Sequence, residues 1–118
     1  MSEYRDEIID HYKHPRNFGV MEDPHKSVNE ANASCGDVIS VTVKMEENKI
    51  SEMKWRGVGC AISTAAASML SEKVIGMDKE AVESLGESGI VEMLGGEVNP
   101  GRMKCATLAY RALLKIFN

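Results

Sequence analysis

Alternating apolar and polar positions between residues 27 and 56 predict a small antiparallel sheet. A loop at Glu46–Lys49 separates two predicted strands, of which the second runs over Ile50–Arg56. A further strand, Ser27–Ala33, would precede both, giving a meander of about three strands. The clearest strand has four apolar residues with polar residues between them, the pattern of one buried face: Ile39, Val41, Val43 and Met45.

Helical spacing predicts a helix at each end of the chain. At the N-terminus, Ser2 is a candidate N-cap and Pro15 ends the helix. The apolar residues between them recur at helical spacing: Tyr4, Ile8, Ile9 and Tyr12. The last helix is predicted from Pro100 to Phe117. Its buried face would consist of Leu108, Ala109, Ala112, Leu113 and Ile116.

Two more helical stretches are predicted between the sheet and the last helix. One begins near Ser63 and ends at Gly76, and Asp78 is then the candidate N-cap of the next. A short segment around Ile90–Leu94 ends at two glycines. The first of these helices would bury one apolar face: Ile62, Ala65, Ala66, Met69, Leu70 and Val74.

Strands followed by helices favour an α+β fold, with the helices packed on one face of the sheet. The chain has 118 residues, of which 43% are hydrophobic and 27% charged, as is typical of one globular domain. No repeat, linker or low-complexity tract divides it. We therefore expect residues 1–118 to form a single domain.

Charge and hydropathy exclude some functions. Fourteen basic against eighteen acidic residues give a formal net charge of −4, without a basic run, so nucleic acid is not an expected partner. No apolar run is long enough to cross a bilayer, and the first seven residues carry charges of both signs. We expect a cytoplasmic protein. Three cysteines, an odd number, then indicate free thiols or metal ligands over a disulfide framework.

The predicted hairpin should bring two of the cysteines together. Gly36 permits a tight turn beside Cys35, and Cys60 follows Gly57-Val58-Gly59 at the start of a helix. If the hairpin is symmetric about Glu47 and Asn48, four facing pairs result: Met45 with Ile50, Val41 with Lys54, Asp37 with Val58 and Cys35 with Cys60.

Cys105 is expected in the first turns of the last helix. It and Cys60 would thus lie near helix N-termini, which favour the thiolate that binds metal or attacks sulfur. With Cys35 and the oxygen of Asp37 they would complete a four-coordinate site. The alternative from composition is that the cysteines are ordinary core residues and Asp37 a turn residue or cap.

Other polar residues near these elements have simpler interpretations. His11 and His14 lie three apart, but Pro15 follows at once, so we interpret both as solvated histidines at a helix end. Arg102 and Lys104 would ordinarily be solvated surface residues. Because they flank Cys105, they are also candidates to favour its thiolate form.

Four separated motifs resemble those of the U-type iron–sulfur cluster scaffolds, the family of IscU, SufU and the N-terminal domain of NifU. The resemblance covers essentially the whole chain. The motifs are Asp10-His11-Tyr12 leading into Pro15-Arg16-Asn17-Phe18-Gly19, then Ala33-Ser34-Cys35-Gly36-Asp37, then Gly57-Val58-Gly59-Cys60-Ala61-Ile62-Ser63, and finally Lys104-Cys105.

The resemblance implies a compact α+β fold and a cysteine desulfurase as partner. It also implies that Cys35, Asp37, Cys60 and Cys105 hold zinc or a nascent [2Fe–2S] cluster, which passes to downstream acceptor or carrier proteins. Proteins of the IscU kind have histidine before the third cysteine, whereas Lys104 makes this segment similar to SufU. The segment between Cys60 and Cys105 nevertheless lacks the insertion typical of SufU.

Three hypotheses follow. In the first, the chain is a scaffold that accepts sulfur and holds a transient cluster. In the second, it is a zinc-dependent sulfurtransferase, in which one cysteine leaves the metal to collect persulfide sulfur. Cys35 and Cys105 are the candidate persulfide acceptors. In the third, it is a structural zinc domain, which Asp37 disfavours because closed structural sites are usually built from cysteine and histidine. Whether the protein is an enzyme stays open between them.

Overall fold

The computed structural model describes residues 6–33 and 36–117. Its sheet has three antiparallel strands in the order β1-β2-β3. The strands are β1 (Lys26–Asn32), β2 (Asp37–Glu46) and β3 (Lys49–Val58). All three strands predicted from alternation are therefore confirmed, each within three residues at either end.

Five α-helices lie in the described residues, together with a short 3₁₀ turn at Pro100–Arg102. The sheet's inner face packs against the second and fifth of them, which confirms the α+β arrangement with helices on one face. The helices are α1 (Asp6–Lys13), α2 (Ala61–Lys73), α3 (Lys79–Met93), α4 (Met103–Ala106) and α5 (Leu108–Ile116).

The inner face of the sheet and the buried sides of α2 and α5 form the core, with α5 packed on β1 and β2 and α2 packed on β3 beside it. The predicted apolar face of α2 is buried, but so are Ala67, Ser68 and Ser71 on its other sides. Because alanine and serine are small, neighbouring elements can approach this helix from several directions. α2 is therefore the central helix of the fold.

The symmetric hairpin register is wrong beyond its first pair. Met45 does face Ile50, but Lys44 faces Glu52, so Ser51 is an extra residue in β3. This β-bulge shifts every later pair by one residue. Val41 consequently faces Trp55 instead of Lys54, and Val38 instead of Asp37 faces Val58.

The helix predictions need three corrections, of which two concern α1 and α3 and the third the last helix. In α1 the buried residues are Ile8 and His11, whereas Ile9 is 39% and Tyr12 48% exposed; Ser2 and Tyr4 lie outside the described residues. Asp78 caps α3 as predicted, its carboxylate accepting a 2.9 Å hydrogen bond from an N–H in the first turn. That helix, however, continues through a kink to include most of the segment predicted separately.

The last helix is interrupted at Thr107, where the prediction had one continuous helix. Thr107 has φ −102° and ψ 5°, and its hydroxyl donates to the Met103 carbonyl at 2.8 Å. The hydroxyl thus bonds within the turn that carries Cys105. Cys105 consequently lies on a four-residue helix of its own, α4.

A strap of residues 16–19 covers part of the outer edge of β3. Backbone hydrogen bonds join Trp55 to Asn17 at 3.1 Å and to Gly19 at 2.9 Å. The Trp55 indole N–H donates to the Arg16 carbonyl at 2.9 Å, and Phe18 packs edge-on against the indole with 5.0 Å between ring centroids. The strap connects α1 to the sheet and leaves Phe18 half exposed.

Candidate metal centre

Asp37, Cys60 and Cys105 converge at one end of the sheet. One ligand atom from each, a carboxylate oxygen and two sulfurs, lies within 4.8 Å of the others. Asp37 begins β2, Cys60 is the N-cap of α2, and Cys105 lies on α4. Three separate elements therefore deliver three ligand-type side chains to one point, as predicted for these residues.

The site is mostly enclosed. Asp37 and Cys105 are only 4% and 6% exposed, while Cys60 is half-buried. Neither Cys60 nor Cys105 forms a disulfide within residues 6–33 and 36–117. Oδ2 of Asp37 is buried and has no hydrogen-bond partner within residues 6–33 and 36–117. A buried carboxylate oxygen without a partner is costly, and a cation at this point would offset that cost.

Local hydrogen bonds favour the thiolate of Cys60. Burial has the largest single effect and raises the pKa of the Cys60 thiol, whereas hydrogen bonds from the backbone N–H and the hydroxyl of Ser63 lower it. Cys105 and the N–H of Ile62 act in the same direction, so the net pKa of Cys60 is lowered. Cys60 does not close a regular side-chain cap on α2. Its sulfur nevertheless stands at the end of the helix where N–H groups are free.

Ser63 is a residue of the site that the sequence analysis missed. Its hydroxyl lies 3.0 Å from the Cys60 carbonyl oxygen and has one proton, which it can donate either there or to the sulfur. The pattern that could have identified it is its place three residues after a cysteine N-cap, where side chains fold back on the cap.

Gly59 makes room for the carboxylate. A β-carbon at this position would lie 3.1 Å from Cγ of Asp37 and would overlap Oγ of Ser63. The glycine is therefore required by the close approach of the β3–α2 link to the start of β2.

Cys35, the fourth predicted ligand, lies outside the described residues. It belongs to the connection 33–36 between β1 and β2, whose ends are paired through Asn32 and Asp37. Gly36 has the predicted turn conformation, with φ +74° and a 2.9 Å hydrogen bond from its N–H to the Asn32 carbonyl. Cys35 is therefore one glycine away from Asp37 along the chain.

Lys104 is exposed and Arg102 partly buried, and their predicted effect on Cys105 stays a prediction. Arg111, which the sequence analysis did not single out, holds this region instead. Its guanidinium donates to the Lys104 carbonyl at 2.9 Å and thereby ties α5 to α4 across the break at Thr107. A basic residue within the apolar stripe of the last helix was the available clue.

The interpretation of His11 as a solvated histidine is wrong, whereas His14 is exposed as predicted. His11 is 6% exposed, and its Nδ1 lies 2.7 Å from Oγ of Ser68. The same Oγ accepts a 2.8 Å hydrogen bond from the Arg16 N–H. Ser68 thus bonds His11 and the backbone of Arg16 through one oxygen, and Nε2 of His11 lies 3.9 Å from the Glu72 carboxylate. His11 is a buried link between α1, the strap and α2.

Comparison with known proteins identifies the family. The model of the NifU-like N-terminal domain matches residues 3–117. This chain belongs to that family. It is 40% identical to the iron–sulfur cluster assembly scaffold protein IscU of Streptococcus pyogenes, over 90% of this chain and 77% of the relative. It is 38% identical to the zinc-dependent sulfurtransferase SufU of Bacillus subtilis, over 95% of this chain and 87% of the relative.

Solved structures of NifU-like proteins have the same fold. A candidate iron–sulfur cluster assembly scaffold for the SUF system from Fervidobacterium islandicum superposes with a TM-score of 0.83 at 29% identity, covering 98% of this chain and 97% of that one. The N-terminal part of a NifU-like protein from Brucella abortus superposes with a TM-score of 0.79 at 17% identity, covering 96% of this chain and 90% of that one. This likeness shows a shared fold. Within the described part of this chain, no helix is both long and apolar enough to cross a membrane.

Proposed function

We propose that this chain is an iron–sulfur cluster assembly scaffold that accepts sulfur from a cysteine desulfurase and holds a transient [2Fe–2S] cluster at the Asp37 centre. The observation that carries the proposal is the convergence of Asp37, Cys60 and Cys105 within 4.8 Å. The similarity to IscU of Streptococcus pyogenes supports it.

The donor set fits zinc and iron. Thiolate sulfur is the ligand of iron–sulfur clusters and of many zinc sites, and zinc also accepts carboxylate oxygen. Oδ2 of Asp37, buried without a hydrogen bond among the described residues, is the atom best placed to face a cation. Four-coordination needs one more ligand, and we assign it to Cys35, which is two residues before Asp37 in the sequence.

The proposed ligands have distinct roles in this function. The half-buried Cys60 offers sulfur in the thiolate form, aided by the N–H groups at the start of α2. Asp37 supplies a hard oxygen among soft sulfurs, and this weaker ligand allows the cargo to leave. A bound zinc ion would keep the thiols deprotonated until a partner arrives.

A zinc-dependent sulfurtransferase is the second candidate, favoured by two observations. The chain is 38% identical to SufU of Bacillus subtilis, and Lys104 instead of histidine precedes Cys105. The alignment with that relative has 129 positions, more than this chain has residues, so the relative carries residues that this chain lacks. The relative named IscU also aligns over more positions, 123, than this chain has residues, so length alone does not separate the two functions. The scaffold leads because the segment between Cys60 and Cys105 is short, without the insertion typical of SufU.

Cys35 and Cys105 are the candidate acceptors of persulfide sulfur, and we favour Cys35. Cys105 is 6% exposed and fixed in a helix, which supports a role as a retained ligand. A ligand in the connection between two strands can leave the metal with less rearrangement. We also propose a cytoplasmic location, which suits cysteines such as Cys60 and Cys105 that form no disulfide within the described residues.

The function is tested with the cysteine desulfurase from the same organism. Protein purified without air is analysed for zinc and iron and by visible absorption, and sulfide release is then timed with the wild type and with Cys35→Ser, Cys60→Ser and Cys105→Ser. We expect the wild type to accelerate sulfur release, and we expect the acceleration to vanish in Cys35→Ser. The scaffold predicts cluster absorption after iron is added.

Zinc retention with persulfide transfer and no cluster would favour the sulfurtransferase. If the wild type neither accelerates release nor gains the mass of a sulfur atom, sulfur handling is excluded. The structural zinc domain would then be the remaining hypothesis.

A further inference from the structure

The face of the sheet turned away from the helices, here called the outer face, carries an apolar groove. The groove encloses about 740 Å³ and is lined in part by Phe18, Val38 and Val58. These residues are 51%, 48% and 74% exposed. Large hydrophobic side chains that are gathered around one groove and left in water are typical of a binding surface.

Strand register brings this groove to the end of the sheet where the metal centre lies. Val38 pairs with Ala31 on one side and with Val58 on the other, so three apolar residues form one row across the sheet. Val38 directly follows Asp37 and points to the opposite face of the sheet, and Val58 comes two residues before Cys60. A molecule that seats a side chain in the groove therefore contacts the outer face at the same end of the sheet as the metal centre.

The outer face is basic, although the whole chain has a formal net charge of −4. Arg56 lines the groove and is exposed, and its side chain makes no hydrogen bond or ion pair among the residues that the structure describes. Glu30, the acidic residue of the lining, is already paired with Lys115 at 2.7 Å. The paired outward positions of β2 and β3 hold four basic residues and two acidic ones: Lys44, Lys49, Lys54, Arg56, Glu46 and Glu52.

We propose that the groove docks a protein segment in which an apolar side chain neighbours a carboxylate, and that this segment belongs to the sulfur-donating protein. The apolar side chain would occupy the space between Phe18, Val38 and Val58, and the carboxylate would pair with Arg56. This inference rests on the proposed function, because it requires that a donor protein brings sulfur to the centre.

Two arguments favour a donor over other occupants. If two copies of the chain paired through this face about a two-fold axis, the basic residues around Arg56 would face those of the other copy, and like charges repel. The donor has to bring its sulfur to the thiols, so its docking surface has to reach the end of the sheet where they lie, as this groove does.

The experiment compares Val58→Ser and Arg56→Glu with matched controls away from the outer face, Ile75→Ser and Lys79→Glu. All four positions are exposed, so the fold should tolerate each change. Titration calorimetry measures the dissociation constant for the desulfurase from the same organism, and zinc content with thermal melting verifies the centre and the fold. We expect Val58→Ser and Arg56→Glu to weaken binding about tenfold or more. Both controls should stay within about twofold, and Arg56→Glu should also reduce the salt dependence of binding.

The remaining outcomes distinguish failure of the proposed function from failure of the docking site and from a different occupant of the groove. If the wild type does not bind the desulfurase, the proposed function fails and the docking site fails with it. If the wild type binds and both groove variants bind equally well, the docking site is wrong and the proposed function stands. If the variants instead change the sedimentation of the chain alone, or only cluster transfer to an acceptor, a second copy or the acceptor occupies the groove and the donor does not.

Discussion

The carboxyl carbon of Asp37 lies only 3.1 Å from the point where a β-carbon of Gly59 would stand. Asp37 begins one strand and Gly59 follows the next, so this approach closes the end of the hairpin against the start of α2. The absence of a side chain at Gly59 thus determines where the carboxylate can lie.

Gly59→Ala should distort the metal centre, since the added methyl meets Asp37 and overlaps the Ser63 hydroxyl. We expect about 1–3 kcal/mol lower unfolding free energy and weaker zinc binding. Urea denaturation and a competitive zinc titration measure both. Gly101→Ala is the control, because its β-carbon would meet only the Asn99 side chain, at 3.3 Å. Equal zinc affinity in Gly59→Ala and the wild type would contradict this account of Gly59.

Asp37→Ala should affect the metal-free and the zinc-bound protein in opposite ways. Without metal, it removes a buried oxygen that has no hydrogen bond among the described residues, so the unfolding free energy should not fall. With zinc, the stabilisation by the metal should shrink, and zinc or cluster should leave faster. Melting with and without zinc, and timed zinc release to a chelator, measure these effects.

Asp78→Ala is the matched control for Asp37→Ala, since the Asp78 carboxylate is satisfied as a helix cap. It should cost about 0.5–2 kcal/mol irrespective of zinc. If Asp37→Ala behaves like this control, Asp37 is only a structural residue.

Ser68→Ala should destabilise the fold through the link between α1 and α2. The variant leaves both Nδ1 of His11 and the Arg16 N–H without their partner in a buried region. We expect a loss of about 2 kcal/mol in chemical denaturation. Ser84→Ala, on the exposed side of α3, should change stability by less than about 0.5 kcal/mol. A double-mutant cycle with His11→Ala should show coupling, and strict additivity would mean that the bond to His11 contributes nothing.

Glu30→Gln should remove one acid-dependent part of the stability. The hydrogen bond from Lys115 holds the pKa of the Glu30 carboxyl below its ordinary value of 4.5, partial burial opposes this, and the Ala31 N–H adds to it. A lowered folded-state pKa stabilises the protein above pH 4.5, and this contribution is lost as the pH falls through the folded-state value.

Because Lys115 is largely exposed, Glu30→Gln should lower the unfolding free energy by about 0.2–1 kcal/mol at neutral pH. The difference should be absent at pH values below the folded-state pKa of Glu30. Unfolding at a series of pH values measures it. Glu47→Gln, at an exposed turn, should leave the pH profile unchanged. A difference between wild type and Glu30→Gln that persists at the acid end would contradict the ion-pair origin.

The periodic elements could be predicted from the sequence because their patterns are local. Strand β2 alternates strictly, and Asp78 has the residue type of an N-cap, which its structure confirms. The grouping of Asp37, Cys60 and Cys105 was also predicted, as part of a site with Cys35, although the hairpin register that was to bring Cys35 to Cys60 was wrong by one residue. The grouping tolerated that error because all three lie at the same end of the sheet, where Gly59 admits the carboxylate.

Features that depend on distant residues could not be predicted. The burial of His11 depends on Ser68, 57 positions away, which its own neighbours do not reveal. The break at Thr107 depends on a hydroxyl that donates a hydrogen bond to the Met103 carbonyl. The spacing of apolar residues along the helix does not indicate this bond. A threonine inside a helical pattern is compatible with either outcome.

The bulge at Ser51 lets Ile50 and Met53, three residues apart, both face the core. Ser51 is exposed, and its side chain makes only one hydrogen bond in the described structure, 3.1 Å to the Lys44 carbonyl, so most substitutions should be tolerated. Deleting the residue would leave Lys44 opposite Glu52 and every later pair unchanged, with Trp55 still facing the core and Val58 still facing solvent. Over evolutionary time this position can therefore change in identity or be lost, whereas a one-residue insertion or deletion further along β3 would exchange the inside and the outside of the strand that leads to Cys60.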